Sequence, residues 1–269
     1  MKLRTLTIYT FTFAALLVFA ECTRVPVTGR RQFNLLPESQ LSSMSATAYG
    51  DFLSQNPPLP ISDPRAQMVR RVGERISVAV EKYLKDNGLG KNVASFDWTF
   101  NTVDDPTVNA WCMPGGRVVF YTGILPITKD EAGLAVVMGH EIAHAVARHG
   151  NERMSQGMLI MGTGLTLDIL TAEQPETSRA LLLQSFGVGS ALGSLAFSRS
   201  HETEADRMGL IFMAMAGYDP REAPKFWERM SAMSGGAKPP EFLSTHPSDT
   251  RRIADLEAYM PKALKYYNP

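Results

Sequence analysis

Lys129-Asp130-Glu131-Ala132-Gly133-Leu134-Ala135-Val136-Val137-Met138-Gly139-His140-Glu141-Ile142-Ala143-His144-Ala145-Val146-Ala147-Arg148-His149-Gly150 is the stretch on which this chain turns. Thr128 with Glu131 three residues later forms a capping box, which predicts a helix over about 129–149, closed by Gly150. Inside it, His140-Glu141-Ile142-Ala143-His144 has the form H-E-x-x-H. Residues four apart on a helix lie about 40° apart around its axis, so both imidazoles can reach one ion. Glu141, beside the first of them, can set its carboxylate against a water on that ion. Leu134, Val136, Val137, Met138, Ile142 and Val146 surround the pair, and histidines buried among such neighbours need partners. The pattern predicts a metal site rather than a pair of satisfied core histidines.

A catalytic zinc needs a third protein ligand and one position left for water. His149 is the nearest candidate. A continuous helix turns it about 180° away from His140, and the H-E-x-x-H-x-x-G-x-x-H pattern would want Gly and His where Ala147 and Gly150 stand. His149 is therefore expected at the helix C-terminus, favoured there by the macrodipole. Ser198-Arg199-Ser200-His201-Glu202-Thr203-Glu204-Ala205-Asp206 offers better candidates. On a helix Glu202 and Asp206 share a face, while Glu204 points away. One reading makes Glu202 a ligand, with Asp206 accepting the other ring N–H of a ligand histidine. The other makes the segment a solvated charged face, with Arg199 and Arg207 as ion-pair partners.

Outward from these segments the chain reads as one mainly helical domain. Glu38–Leu53 is a first helix, Asn56-Pro57-Pro58-Leu59-Pro60 breaks it, and Asp63-Pro64 starts an amphipathic helix over 64–86. Phe96, Trp98 and Phe100 alternate with polar residues as a half-buried strand. Residues 108–121 read as a hairpin turning at Pro114-Gly115-Gly116. Helices are predicted over 198–215, from Asp219-Pro220 to about 233, and over Pro247–Met260. Residues 154–197 are rich in Gly, Met and Leu and read as a buried helical insertion, with a mobile, membrane-facing or substrate-gating element as the alternative. With 27 basic and 27 acidic residues and no basic cluster, nothing points to nucleic acid.

Lys2 and Arg4 followed by the 16-residue run Thr5–Ala20 read as a signal peptide over 1–21, too short for a membrane span. Cys22 stands where a bacterial lipoprotein carries its acylated cysteine, although Glu21 replaces the small residue expected before it. Residues 22–37 read as an extended tether and 38–269 as the catalytic domain. Cys112 is the other cysteine and reads as a small buried residue rather than a regulatory thiol.

These segments together resemble the HtpX-type and CAAX-prenyl-protease-type gluzincin metallopeptidases, peptidase family M48. The resemblance rests on H-E-x-x-H with Ala147-Arg148-His149 and Glu152-Arg153, on Asn109-Ala110…Pro114-Gly115-Gly116, on Ser198-Arg199…Glu202-Thr203-Glu204-Ala205-Asp206, and on Thr245-His246-Pro247 with Arg252-Ile253. Val25-Pro26-Val27-Thr28-Gly29-Arg30 is similar to the leader of soluble, lipoprotein-type bacterial members. The resemblance implies an α+β, mainly helical zincin-like domain with a small antiparallel sheet. It implies one zinc ion on His140, His144 and Glu202, Glu141 as general base, and Asp206 as the carboxylate behind a ligand histidine. It further implies His246 on the oxyanion, Arg252 bracing that loop, and Asn109 and Ala110 on a substrate-binding edge strand. The implied substrates are unfolded or misassembled envelope proteins, and the implied location is the periplasm, with a lipid anchor at Cys22 in the outer membrane. The rival is an envelope chaperone or assembly factor on the same scaffold. A structural zinc protein is disfavoured, because three protein ligands leave a position for water.

Overall fold

The computed structural model of the chain describes residues 21–161, 175–185, 198–233, 240–246 and 251–268. Its N-terminal part begins with β1 (Glu21–Arg24) and β2 (Arg31–Asn34), which pair antiparallel with Cys22 opposite Phe33. The stretch read as an extended tether is thus largely a hairpin, and Val25 at its turn is buried in the main core. Residues 1–20, read as most of a signal peptide, lie outside the described residues.

Two long helices follow, α1 (Glu38–Gln55) and α2 (Pro64–Asp86), the second capped by the Asp63 carboxylate, which accepts the Arg65 N–H. Val69, Val72, Ile76, Val80 and Leu84 make its fully buried stripe. After a short turn of helix, α3 (Gly90–Val93), come β3 (Thr99–Val103), β4 (Ala110–Met113) and β5 (Arg117–Tyr121). The strand expected around Phe96 begins at Thr99, and Phe96, Trp98 and Phe100 instead stack their rings in series, 4.5 and 6.3 Å between centroids. Gly115 and Gly116, at φ 82° and 84°, make the tight turn that sets β4 antiparallel to β5. The order is β3-β5-β4, with β3 parallel to β5. The sheet is therefore mixed rather than purely antiparallel: β3 joins the far side of β5 after a short reversal into β4. This leaves β4 at an edge.

The predicted helix over 129–149 forms as α5 (Glu131–Val146), preceded by a short α4 (Leu125–Thr128). Its N-cap is Asp130, whose side chain accepts the Gly133 N–H, in place of the expected Thr128 capping box. It stops at Val146, before Gly150. Arg148 adopts a left-handed φ of 57°, and a new helix α6 starts at once (His149–Met161). Of the expected insertion, α6 and α7 (Pro175–Ser185) are described, while 162–174 and 186–197 lie outside the described residues. Met154, Met158, Leu181 and Leu182 are buried against Leu41 of α1 and against Trp111, Met113 and Val119 of the sheet.

Helix α8 (Arg199–Met215), capped by Ser198, crosses α5, and α5 also packs on β4. Then come α9 (Glu222–Ala232), α10 (Glu241–Thr245) and α11 (Arg252–Ala263). Residues 247–250, where the last helix was expected to begin, lie outside the described residues. The fold is mainly helical, as expected, and α5 is its centre: every side chain from Gly133 to Val146 is buried. No helix among the described residues is long and apolar enough to cross a membrane.

Candidate metal centre

Three elements from distant parts of the chain meet at α5. His140 and His144 project from it one turn apart, Glu202 comes from the first turn of α8, and His246 caps the C-terminus of α10. One ligand atom from each of the four lies within 4.8 Å of the others, and all four residues are buried. His140 Nε2 is 3.0 Å from His144 Nε2 and 3.2 Å from His246 Nδ1. The Glu202 oxygens stand 3.4 Å from each Nε2, and one is 3.1 Å from His246 Nδ1.

The donor chemistry calls for a cation. His140 Nδ1 lies 2.9 Å from Asp206 Oδ1, and a carboxylate there fixes the ring proton on Nδ1. His140 Nε2 then faces the Glu202 carboxylate, so the pair needs a positive charge between them, a proton in the metal-free chain or a metal ion in its place. The surrounding charges report the same demand. Burial alone would lower the His140 pKa, yet the carboxylates of Glu202 and Asp206 raise it to about 9. Burial would raise Glu202, but the charges of His246, Arg252 and His140 hold it well below the usual carboxylate range. A divalent cation among two imidazoles and a carboxylate fits these residues.

Arg252 anchors the carboxylates, donating to Glu202 Oε2 at 2.9 Å and to Asp206 Oδ1 at 2.8 Å, with its guanidinium 3.4 Å above the Trp227 ring. Sequence reasoning placed Arg252 behind the His246 loop; here it grips the acids of α8. Glu141 turns its buried carboxylate toward the same space. Its Oε1 has no hydrogen-bond partner among the described residues, though it lies 3.3 Å from His246 Nε2. Burial pushes its pKa up to about 8. The His246 ring reaches into the donor cluster itself. Phe242 N–H donates to Val108 O at 3.0 Å and Asn109 Nδ2 to Glu241 Oε1 at 3.2 Å, so the start of β4 is stapled to α10. Ala110 N–H is taken by the Asn109 side chain at 2.9 Å. The Cys112 thiol is buried, and burial pushes its pKa well up.

Two residues set aside on sequence return here. Because Arg148 breaks the helix, His149 does not point away from the site: its Nδ1 is 2.9 Å from His144 Nδ1. Glu204 does lie on another face of α8, but that face is buried, and its Oε2 meets His149 Nε2 at 2.9 Å. A left-handed arginine leaves no mark in the sequence that would have revealed this.

Residues 70–260 match the model of peptidase family M48. The chain is 36% identical over 250 residues to the mitochondrial metalloendopeptidase OMA1 of Schizosaccharomyces pombe, covering 91% of this chain and 68% of that one. It is 33% identical to metalloendopeptidase OMA1, mitochondrial, of Homo sapiens, covering 89% of this chain and 46% of that one. It is also 32% identical over 221 residues to a putative beta-barrel assembly-enhancing protease of Vibrio cholerae, covering 78% of this chain and 45% of that one. The expected placement as a periplasmic, outer-membrane-anchored lipoprotein is corrected by these matches. Relatives similar over some nine-tenths of the chain are named as mitochondrial proteins, which overturns the expectation of a bacterial envelope lipoprotein. Acylation of Cys22, which presupposes bacterial export, loses that support.

Proposed function

This chain belongs to peptidase family M48, and from that premise we propose that its metalloendopeptidase chemistry uses one zinc ion held by His140, His144 and Glu202. The observation that carries the proposal is the convergence of these side chains, from two helices some sixty residues apart in sequence, on a single point. Zinc bound in such a site would lower the pKa of its water to about 7 and polarise a scissile carbonyl.

The chain's own residues do the rest. Glu141 takes a proton from the attacking water and returns it to the leaving nitrogen, and its unpartnered Oε1 is the atom available for that transfer. A dication nearby favours its charged form, against the burial that raises its pKa. Asp206 holds the His140 ring by its Nδ1–H, and Arg252 holds both acids of α8. His246 stabilises the developing oxyanion, a role for which its ring must swing from the donor cluster toward the bound carbonyl. The edge strand β4, entered at Asn109 and Ala110, pairs with an extended peptide once the Asn109 side chain releases the Ala110 N–H, a mode that tolerates many sequences.

Such tolerance suits a protease of protein quality control, acting on unfolded or misassembled proteins. The names of the relatives support the protease chemistry, and the Vibrio cholerae name supports a link to assembly. Cleavage of casein by the purified chain, lost with chelator and restored by zinc, is the expected result. Casein cleavage that chelator leaves intact would remove the metal from the reaction, and a chain that protects unfolded protein without cutting it would replace this reading with a chaperone one.

A further inference from the structure

The two α5 histidines both aim Nε2 into the donor cluster, so each carries its ring proton on Nδ1 when it ligates. His140 donates that proton to Asp206. His144 Nδ1 meets Nδ1 of His149 at 2.9 Å, and His149 Nε2 meets Glu204 Oε2 at 2.9 Å. The proton arrangement that satisfies this chain runs one way. His144 Nδ1–H donates to the lone pair on His149 Nδ1, and His149 Nε2–H donates to the Glu204 carboxylate. Glu204 also accepts from the Thr28 hydroxyl and, at 2.7 Å, from Arg30 Nε–H. The two terminal nitrogens of Arg30 donate to the two oxygens of Glu152 at 3.0 and 2.8 Å. His149 is 0% exposed and Glu204 6%.

We propose that His149 is a positioning residue for His144, and that Glu204, clamped by Thr28 and Arg30 of the N-terminal hairpin, holds His149 in place. The inference rests on the reading of His144 as a metal ligand. An imidazole and a carboxylate in series do for His144 what Asp206 does alone for His140: they fix the tautomer and the ring plane, so the Nε2 lone pair faces the ion. The hairpin between β1 and β2 thereby acts on the metal centre from more than a hundred residues away.

The experiment uses the full chain, stripped and reloaded with Zn²⁺ or Co²⁺. Affinity is read by chelator competition and ligand field by the visible spectrum of Co²⁺. His149→Phe keeps a ring to stack on His201, 4.4 Å away, but removes the acceptor. It is expected to weaken metal binding about 10–100-fold and to shift the Co²⁺ bands. His149→Asn, whose amide oxygen can take the place of Nδ1, is expected to recover affinity to within about threefold of the parent. His201→Phe, at the ring that stacks on His149 and reaches Glu152, is expected to stay within about twofold. Arg30→Ala, which leaves the histidines in place, is expected to weaken binding about 3–10-fold, keeping the test open should His149→Phe not fold. Equal losses in His149→Phe and His201→Phe, or no recovery in His149→Asn, would overturn the proposal and reduce the network to packing. A parent chain that binds neither ion would instead overturn the metal-centre reading beneath it.

Discussion

Gly139 on α5 and Gly209 on α8 meet backbone to backbone. A Cβ added to Gly139 would stand 2.9 Å from the Gly209 carbonyl oxygen, and one added to Gly209 would stand 2.9 Å from the His140 amide nitrogen. Neither clash is with a flexible side chain that could move aside. The bare backbones let the two helices approach until Glu202, seven residues before Gly209, reaches the histidines.

Gly209→Ala is therefore expected to push α8 off α5, costing about 1–3 kcal/mol of stability by overpacking. Denaturant unfolding of the metal-free chain measures this, and metal affinity should fall with it. A variant as stable as the parent, with the same affinity, would show that the close approach does not set the ligand geometry.

Glu141→Gln keeps the shape of the site and removes the base. Metal content is expected to stay at one ion per chain while peptide cleavage falls by about 10²–10⁴ or more. Turnover equal to the parent's would remove Glu141 from the reaction.

Glu202→Ala deletes a ligand, whereas Asp206→Asn keeps an oxygen near His140 Nδ1 but removes the charge. The first should abolish stoichiometric zinc in the purified protein, and the second should weaken binding about 10–100-fold. Full zinc occupancy in Glu202→Ala would reassign the third ligand.

Arg252→Met removes the partner of two buried carboxylates, Glu202 and Asp206. Removing the guanidinium that bridges them, with the histidines left beside them, is expected to destabilise the metal-free chain by about 1–3 kcal/mol, seen as a lower thermal midpoint. Zinc should narrow the gap by supplying the missing positive charge. A midpoint unmoved in the metal-free state would mean the acids are compensated elsewhere.

Glu152 gives a pH dependence away from the ligands. Burial would raise its pKa, but hydrogen bonds from His201 and Arg30 outweigh this and lower it from 4.5 to about 2. A carboxylate lowered in the folded state stabilises it fully above the unfolded value and loses that effect as pH falls through the folded one. The metal-free parent should thus be more stable than Glu152→Gln near neutrality, with the gap closing as pH falls from about 4.5 toward 2. A gap of constant size across that window contradicts the assignment.

Much of the site was legible because its signals are local. The i, i+4 spacing of His140 and His144 puts both rings on one face of any helix, and the same spacing puts Asp206 beside Glu202. The mainly helical class followed from Asp63-Pro64, the apolar stripe of α2 and the Ser198 cap. The link between His149 and Glu204 was not legible, because it depends on partners outside each segment. His149 was placed by assuming an unbroken helix, and Glu204 does point away from Glu202 as expected, but onto a buried face that only its neighbours from outside the segment reveal. The hairpin at 21–34 was missed because what holds its turn, Arg30 against Glu152 and Glu204, is spaced more than a hundred residues along the chain.

The amino-acid order by itself determined the helix that carries two imidazoles and a carboxylate, and the second helix that carries two acids, since helical periodicity fixes which side chains share a face. Only the tertiary structure decided that the glycine contact would bring those helices within ligand distance. It alone decided that the left-handed turn at Arg148 would fold His149 back onto His144, and that His246 and Arg252 would close around the same point. Burial supplies the physical reason: charges and lone pairs are tolerated inside a protein only where partners from distant segments arrive to satisfy them, and sequence spacing does not record that arrival.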